Sequence, residues 1–171
     1  EFSEMAWNLS YHLESKAQRC KAGLLLGAWL RVWAKPIAGA AQLNYDSFLS
    51  GVEAGEVQFA DYNLFGNIFN RLFEGDELGS IAKDVKTYKL LAQQNKDELL
   101  MASMVAAQIF AYKLGHTRDK QDGHMLSELA KSMQESEAAQ MMFSACLHHI
   151  LSIHFHYLME MNDQAVSYVQ K

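Results

Sequence analysis

Residues 56–73 read EVQFADYNLFGNIFNRLF, and this stretch decides the fold class. Its aliphatic side chains recur every three or four residues, which is the period of one helix face, at Val57, Ala60, Leu64, Ile68 and Leu72. A second stripe on the same predicted helix consists of Phe65, Phe69 and Phe73. Because a helix that is apolar over so wide an arc packs on more than one neighbour, the segment predicts a helix in contact with several others.

The rest of the chain continues this helical pattern. Pro36 is the only proline and the ten glycines are scattered, whereas an all-β chain needs many turns. Pro36 cannot continue a helix, but it suits the first turn of the next one. We predict helices at Met5–Glu14, Ser15–Trp33, Pro36–Glu53, Glu56–Phe73, Glu77–Gln94, Lys96–Leu114, Met125–Met133, Glu137–Glu160 and Asp163–Gln170. The polar stretch HTRDKQDG, residues 116–123, predicts an exposed loop.

Glycine, asparagine and acidic residues mark the predicted helix ends. Gly55 and Gly75 suit the left-handed conformation that closes a helix, and Asp76 is the predicted cap of the next one. Asn95 followed by Glu98 resembles a capping box. Short connections of this kind imply that consecutive helices are antiparallel neighbours.

These junctions recur along the chain. They lie at Gly75-Asp76, Leu114-Gly115 and Asn162-Asp163, about 40 and about 47 residues apart. This is the period of a helix-pair repeat. We therefore predict an all-α fold of about eight or nine helices, in which antiparallel pairs form a tetratricopeptide-like α-α superhelix. Residues 1–171 then form a single helical-repeat domain, and a closed helical bundle is the alternative architecture.

Composition restricts the possible partners and compartment. The formal net charge is −5, and no concentrated basic stripe exists for nucleic acid. No apolar run approaches the roughly 18 residues of a membrane span. Cys20 and Cys146 lack metal-type spacing, so we expect buried, reduced thiols in a cytoplasmic protein. Since the chain begins Glu1-Phe2 without a methionine, we interpret it as a fragment of a larger protein, with residues 1–2 left by a cloning site.

Histidines and aromatic residues are the candidates for chemistry. Four of the seven histidines fall on one predicted helix, at His148, His149, His154 and His156. HExxH, ExxH, GxSxG and the phosphate-binding glycine motifs are all missing, so we predict no catalytic, cofactor-binding or metal-binding residues. Trp29 and Trp33, four residues apart, and the phenylalanine stripe are interpreted as core. The alternative is a hydrophobic groove for a partner helix.

Several stretches together resemble one family. They are WAKPI (Trp33–Ile37), GVEAGEVQFADYN (Gly51–Asn63), NRLFEGDELGSIAKDVKTY (Asn70–Tyr88), KLG (Lys113–Gly115) and FHYLMEMNDQAVSYVQK (155–171). In this order they resemble the tetratricopeptide-like helical region of large multidomain signalling ATPases, including ATPase-coupled sensor histidine kinases. The resemblance implies a helical region that lies between an ATPase and an output domain and has no catalytic residues of its own.

Three functional hypotheses follow from the sequence. The first is a non-catalytic protein-interaction or sensory-relay module that links ATPase and output domains and binds a protein segment or a ligand. The second is a structural spacer that forms a homodimer. The third is a small-molecule or metal-binding bundle, which requires His149 or His156 to converge with a carboxylate in a pocket.

Overall fold

The computed structural model describes residues 2–115, 131 and 142–169. All regular structure within these ranges is helical, which confirms the all-α prediction. The α-helices are α1 (Phe2–His12), α2 (Lys16–Leu24), α3 (Ala40–Ala54), α4 (Val57–Glu74), α5 (Leu78–Asn95), α6 (Glu98–Gly115), α7 (Met142–Leu158) and α8 (Asn162–Val169). The chain divides into two compact units, Glu1–Leu100 and Met101–Lys171. The single repeat domain stays a prediction.

Consecutive helices of the first unit run antiparallel. Their contacts show this direction, since residues late in one helix contact residues early in the next. Between α2 and α3, a Cβ on Gly51 would meet Cys20, whereas a Cβ on Gly23 would meet Ser47, so later residues of α2 lie against earlier residues of α3. The same reversal relates α4 to α5. There Asp61 accepts hydrogen bonds from Asn95, while Asn67 accepts one from Tyr88. Asp84 accepts another from Arg71.

Helix α4 lies at the centre of the first unit. It contacts α2, α3 and α5, as its two apolar stripes predict. Ala60, Leu64 and Ile68 of α4 are buried, and Ile81 and Val85 of α5 are buried as well. Since hydrophobic burial stabilises by roughly 25 cal/mol per Å² of apolar surface, this central helix contributes a large share of the unit's stability.

The third predicted helix is present, but its predicted start at Pro36 is wrong. The second helix changes at Leu25–Leu30 to a π-helix and at Arg31–Trp33 to a 3₁₀ turn, and α3 begins only at Ala40. Pro36 lies in the turn between them, because the residue before a proline avoids helical angles. Gly39, with a φ of 80°, then sets the direction of α3. The Arg31 guanidinium closes the turn by donating to the carbonyl of Ala38 at 2.9 Å.

The glycines predicted to end helices do so, but the residues predicted to cap helix N-termini do not. Gly55 and Gly75 both have positive φ, which confirms their predicted role. Asp76 caps nothing, because it is ion-paired with Arg71. The predicted capping box at Asn95 is wrong too. Lys96 takes the left-handed conformation, and Asp97 accepts the hydrogen bond from the backbone N–H of Leu100 at 2.8 Å.

The second unit is described over part of its length. Val105 and Ile109 form a small apolar cluster with Met101, and Leu147, Leu151 and Ala165 are buried on α7 and α8. Helices α7 and α8 lie within the predicted spans to about one residue where they are described. The predicted loop 116–123 and helix Met125–Met133 lie outside the described residues, apart from Lys131. In the described part of the chain, no helix has both the length and the apolar content to cross a bilayer.

Candidate functional site

A cleft of about 580 Å³ lies between α3, α4 and α5. This volume falls within the usual range for ligand sites. We refer to it as the α3–α5 cleft. Its lining residues are Gly39, Ala41, Gln42, Tyr45, Phe48, Asn67, Arg71, Glu74, Asp76, Asp84, Thr87, Tyr88 and Leu91. Aromatic walls combined with a few polar groups are typical of binding sites.

Arg71 organises the polar end of the cleft. Its Nε donates to Asp76 Oδ2 at 2.9 Å, its Nη1 to Asp84 Oδ2 at 2.6 Å and its Nη2 to Ser80 Oγ at 2.9 Å. Burial of the guanidinium opposes its charge, but the hydrogen bonds to Asp76 and Asp84 outweigh it and raise the pKa of Arg71. All three nitrogens are thus engaged, and the side chain is held in one orientation.

The opposite wall is aromatic. The rings of Tyr45 and Phe48 lie 5.9 Å apart on α3, and Tyr88 is buried on α5. The Tyr88 hydroxyl lies 3.4 Å from Asn67 Oδ1, while Asn67 Nδ2 donates to the carbonyl of Ala41 at 2.9 Å. Burial raises the pKa of Tyr88 to about 12, so its phenol is neutral at physiological pH. It can therefore act as a hydrogen-bonding group without adding charge.

The charges that line the cleft are unequal. Among the described lining residues, Glu74, Asp76 and Asp84 supply three carboxylates, and Arg71 supplies one guanidinium. The lysines of α5 do not line the cleft. Asp76 and Asp84 share Arg71, and Glu74 makes no ion pair within the described chain. The cleft therefore carries a net negative charge against an aromatic wall.

A cluster of buried asparagines adjoins the cleft and shares Asn67 with its lining. It consists of Asn44 on α3 and Asn63, Asn67 and Asn70 on α4. Asn44 Nδ2 donates to Asn63 Oδ1 at 3.0 Å, and Asn70 Nδ2 donates to Asn44 Oδ1 at 2.9 Å. The Nδ2 groups of Asn63 and Asn70 also reach the carbonyls of Cys20 and Gly27, at 3.1 Å each. Such satisfied networks fix one arrangement of helices.

The asparagine cluster was not predicted, although the sequence contains a signal for it. Asn63, Asn67 and Asn70 are spaced by four and three residues, which places them on one face of α4. They were hidden by the stronger apolar periodicity of the same helix. The cleft residues Arg71 and Asp84 were missed as well, because their pairing depends on the register of α4 against α5.

The tryptophans do not form the expected core. Trp33 is 87% exposed and Trp29 is 47% exposed, so the core interpretation is wrong for both tryptophans. The change to π and 3₁₀ geometry between them alters the rotation per residue and removes the shared face. Trp29 still contacts Phe65, with ring centroids 6.3 Å apart. In the phenylalanine stripe, Phe69 is buried and Phe73 is exposed.

Three of the four histidines of α7, namely His148, His149 and His156, lie around Tyr168 of α8, whereas His154 lies against Phe110 with ring centroids 5.5 Å apart. His156 is buried and stacks on Tyr168 at 5.3 Å between ring centroids, and His149 lies 5.8 Å from the same ring. His156 Nδ1 donates to the carbonyl of Ser152 at 2.7 Å, since a carbonyl can only accept. Across the described ranges, no three histidine, cysteine or carboxylate residues have metal-site geometry. The ring cluster therefore packs α7 against α8.

The two cysteines differ in environment. Cys20 is fully buried as predicted, but Cys146 is exposed, so the expectation of two buried thiols is wrong. Burial raises the pKa of Cys20 to about 11, against a smaller opposing effect of the Asn63 hydrogen bond.

Alkylation is expected to separate the two thiols. At pH 8, a pKa of about 11 leaves roughly one Cys20 thiolate per thousand, and burial also blocks access. Iodoacetamide should therefore label Cys146 at least about 100-fold faster than Cys20, as measured by peptide mass spectrometry. In denaturant both should react at similar rates. Equal labelling of the native protein would contradict the buried position of Cys20.

No family model, curated protein or solved structure matches the chain. The resemblance to the helical region of signalling ATPases therefore stays a prediction. The geometry of the α3–α5 cleft carries the functional argument.

Proposed function

We propose that the chain is a non-catalytic protein-interaction module whose α3–α5 cleft binds a segment of a partner protein. The observation that carries this proposal is the cleft itself, with aromatic walls and a fixed polar end. Its polar end is held by the hydrogen bonds of Arg71, and its floor by those of Asn67. A preformed site on packed helices loses little conformational entropy on binding.

The proposal includes a tetratricopeptide-like superhelix. Helices α2 and α4 pair in parallel, since Asn63 reaches Cys20 and Asn70 reaches Gly27, both across 43 residues of sequence. Parallel contact between alternate helices is what stacked helix pairs produce. This sequence separation of 43 residues between contacting residues also falls between the junction spacings of about 40 and 47 residues. The agreement supports one repeat period along the chain.

We place the module in a cytoplasmic, multidomain signal-transduction protein, between an ATPase and an output domain. The stretches Trp33–Ile37, Gly51–Asn63 and Asn70–Tyr88 support this placement by resemblance. Binding in the cleft would alter the flanking domains only through different affinities for their two states. Sequencing the gene on both sides tests the placement, and a reading frame without an ATPase or kinase would contradict it.

A homodimeric spacer is the second candidate, and a specific observation favours it. Large apolar side chains of the first unit are exposed, including Phe2 and Trp33 at 87% each. Exposed apolar surface of this kind is common at protein interfaces. Sedimentation equilibrium distinguishes the two, because a monomer across the micromolar range would rule out the stable dimer that a spacer requires.

Peptide selection is expected to identify ligands of the cleft. Peptides from a random phage library, selected on the intact chain, should lose affinity about tenfold or more when Tyr45→Ala removes an aromatic wall. Fluorescence anisotropy measures the loss. The matched control is Tyr157→Ala, because Tyr157 is an exposed tyrosine outside the cleft. Selected peptides that bind wild type and Tyr45→Ala equally would contradict the proposal.

A further inference from the structure

The charge of the α3–α5 cleft indicates what kind of segment it binds. This inference rests on the proposed function and adds the chemistry of the partner. Glu74 is the last residue of α4, Asp76 lies two residues later, and Asp84 of α5 lines the same cleft. The carboxylates of Asp76 and Asp84 are 44% and 37% exposed, so both retain oxygen lone pairs on the open side of the cleft.

An anionic ligand does not fit this arrangement. Among the described residues that line the cleft, the only cation is Arg71, and three of its five N–H groups already donate to Asp76, Asp84 and Ser80. A carboxylate or phosphate would have to share the guanidinium with the two carboxylates that already pair with it, while approaching three acidic side chains. Repulsion from these carboxylates therefore disfavours an anionic ligand.

The position of Glu74 has no structural explanation of its own. It is the last residue of α4, where the negative end of the helix dipole disfavours a carboxylate. It has no ion-pair partner in the described part of the chain that would offset this cost. An unfavourable charge at the rim of a cleft is expected where binding requires it.

We infer that the α3–α5 cleft binds a peptide segment through an inserted arginine or lysine side chain. The cationic head lies among Glu74, Asp76 and Asp84, and the aliphatic stem lies along Tyr45 and Phe48. A cation beside an aromatic face gains a cation–π attraction in addition to the ion pairs. The stem also covers apolar ring surface, as long basic side chains do elsewhere.

The test uses peptides selected on the intact chain and compares Glu74→Gln with wild type. Glu74→Gln leaves the Arg71 pairs untouched. We expect the peptides to be enriched in arginine or lysine, their affinity to fall about tenfold in the variant, and binding to weaken with added NaCl. The melting temperature should rise slightly, because an unfavourable helix-end charge is lost. The control Glu14→Gln removes an exposed carboxylate outside the cleft and should change neither affinity nor salt dependence.

The outcomes separate this inference from the proposed function. Peptides without basic residues that still depend on Tyr45 would overturn the inference and leave the proposed function standing. Peptides that bind Tyr45→Ala as tightly as wild type would overturn both the inference and the proposed function. Argininamide and spermidine, tested alone by isothermal titration calorimetry, distinguish a free small cation from a peptide. If either binds as tightly as the selected peptides, the partner segment is the wrong ligand.

Discussion

Replacing Asn44 with alanine is expected to lower the free energy of unfolding by about 3 kcal/mol or more. Asn44 is fully buried, and its amide links the side chains of Asn63 and Asn70. Asn44→Ala leaves a cavity and removes the donor from Asn63 Oδ1 inside the core. A buried acceptor without a partner costs about 1–3 kcal/mol, and the cavity adds to this cost. Urea denaturation followed by circular dichroism measures the loss.

A second substitution separates hydrogen bonding from cavity formation. Asn44→Asp keeps the volume but replaces the Nδ2 donor, which faces the carbonyl of Gly23 and Asn63 Oδ1, with an acceptor. Burial should raise the pKa of the new carboxyl, so the folded state binds its proton more tightly than the unfolded state. The deficit should therefore be greater at pH 7 than at pH 4.

An exposed asparagine supplies the control for both variants. Asn8 lies on the solvent side of α1, and Asn8→Ala should change the free energy of unfolding by less than about 0.5 kcal/mol. If Asn44→Ala costs no more than Asn8→Ala, the asparagine cluster does not stabilise the first unit.

The predictable part of this fold follows from local periodicity. The apolar spacing in residues 56–73 predicted α4 and its several neighbours, because a helix repeats every 3.6 residues whatever it packs against. Gly55 and Gly75 were predicted for a similar reason. A left-handed helix end is a property of the residue itself, and glycine adopts it without steric cost. These features need no knowledge of the other helices.

The features that could not be predicted are contacts between two helices, and neither helix alone specifies them. Asn63 and Asn70 are buried because the carbonyls of Cys20 and Gly27 lie opposite them, 43 residues earlier in the chain. No pattern within α4 indicates that such acceptors exist. The cleft is similar, since Arg71 reaches Asp84 only in the observed register of α4 and α5. Side chains that are usually exposed are thus buried or paired here because of their partners on another helix.

Replacing Gly23 with alanine is expected to destabilise the protein by about 3 kcal/mol, although alanine is the better helix former. A Cβ on Gly23 would lie 1.7 Å from Ser47 Oγ, 2.7 Å from Ser47 Cβ and 2.6 Å from the ring of Trp7. Helix α2 would therefore have to move away from α3, which would strain the asparagine hydrogen bonds that cross the same interface. Thermal and urea denaturation measure the loss.

Gly79→Ala is the matched control for this substitution. Gly79 lies near the start of α5, and an added Cβ would meet only Glu77 Oε1, at 3.5 Å. This variant should gain stability, by up to about 1 kcal/mol, because alanine restricts the unfolded chain and favours the helix. Gly23→Ala and Gly79→Ala make the same chemical change, the first where two helices cross closely and the second at an open surface. Equal effects at both positions would contradict the close packing of α2 on α3.

Exchanging the small residue across the interface tests the cause directly. Ser47→Gly alone should cost stability, because it places a glycine inside α3 and removes the hydrogen bond from Ser47 Oγ to the carbonyl of Leu43. Combined with Gly23→Ala, however, it removes Ser47 Oγ and Ser47 Cβ, two of the three closest atoms, from the path of the new Cβ. The double variant should therefore lose less stability than the sum of the two single variants, by about 1 kcal/mol or more. Strict additivity would mean that the cost of Gly23→Ala arises elsewhere, at Trp7 or in the helix backbone.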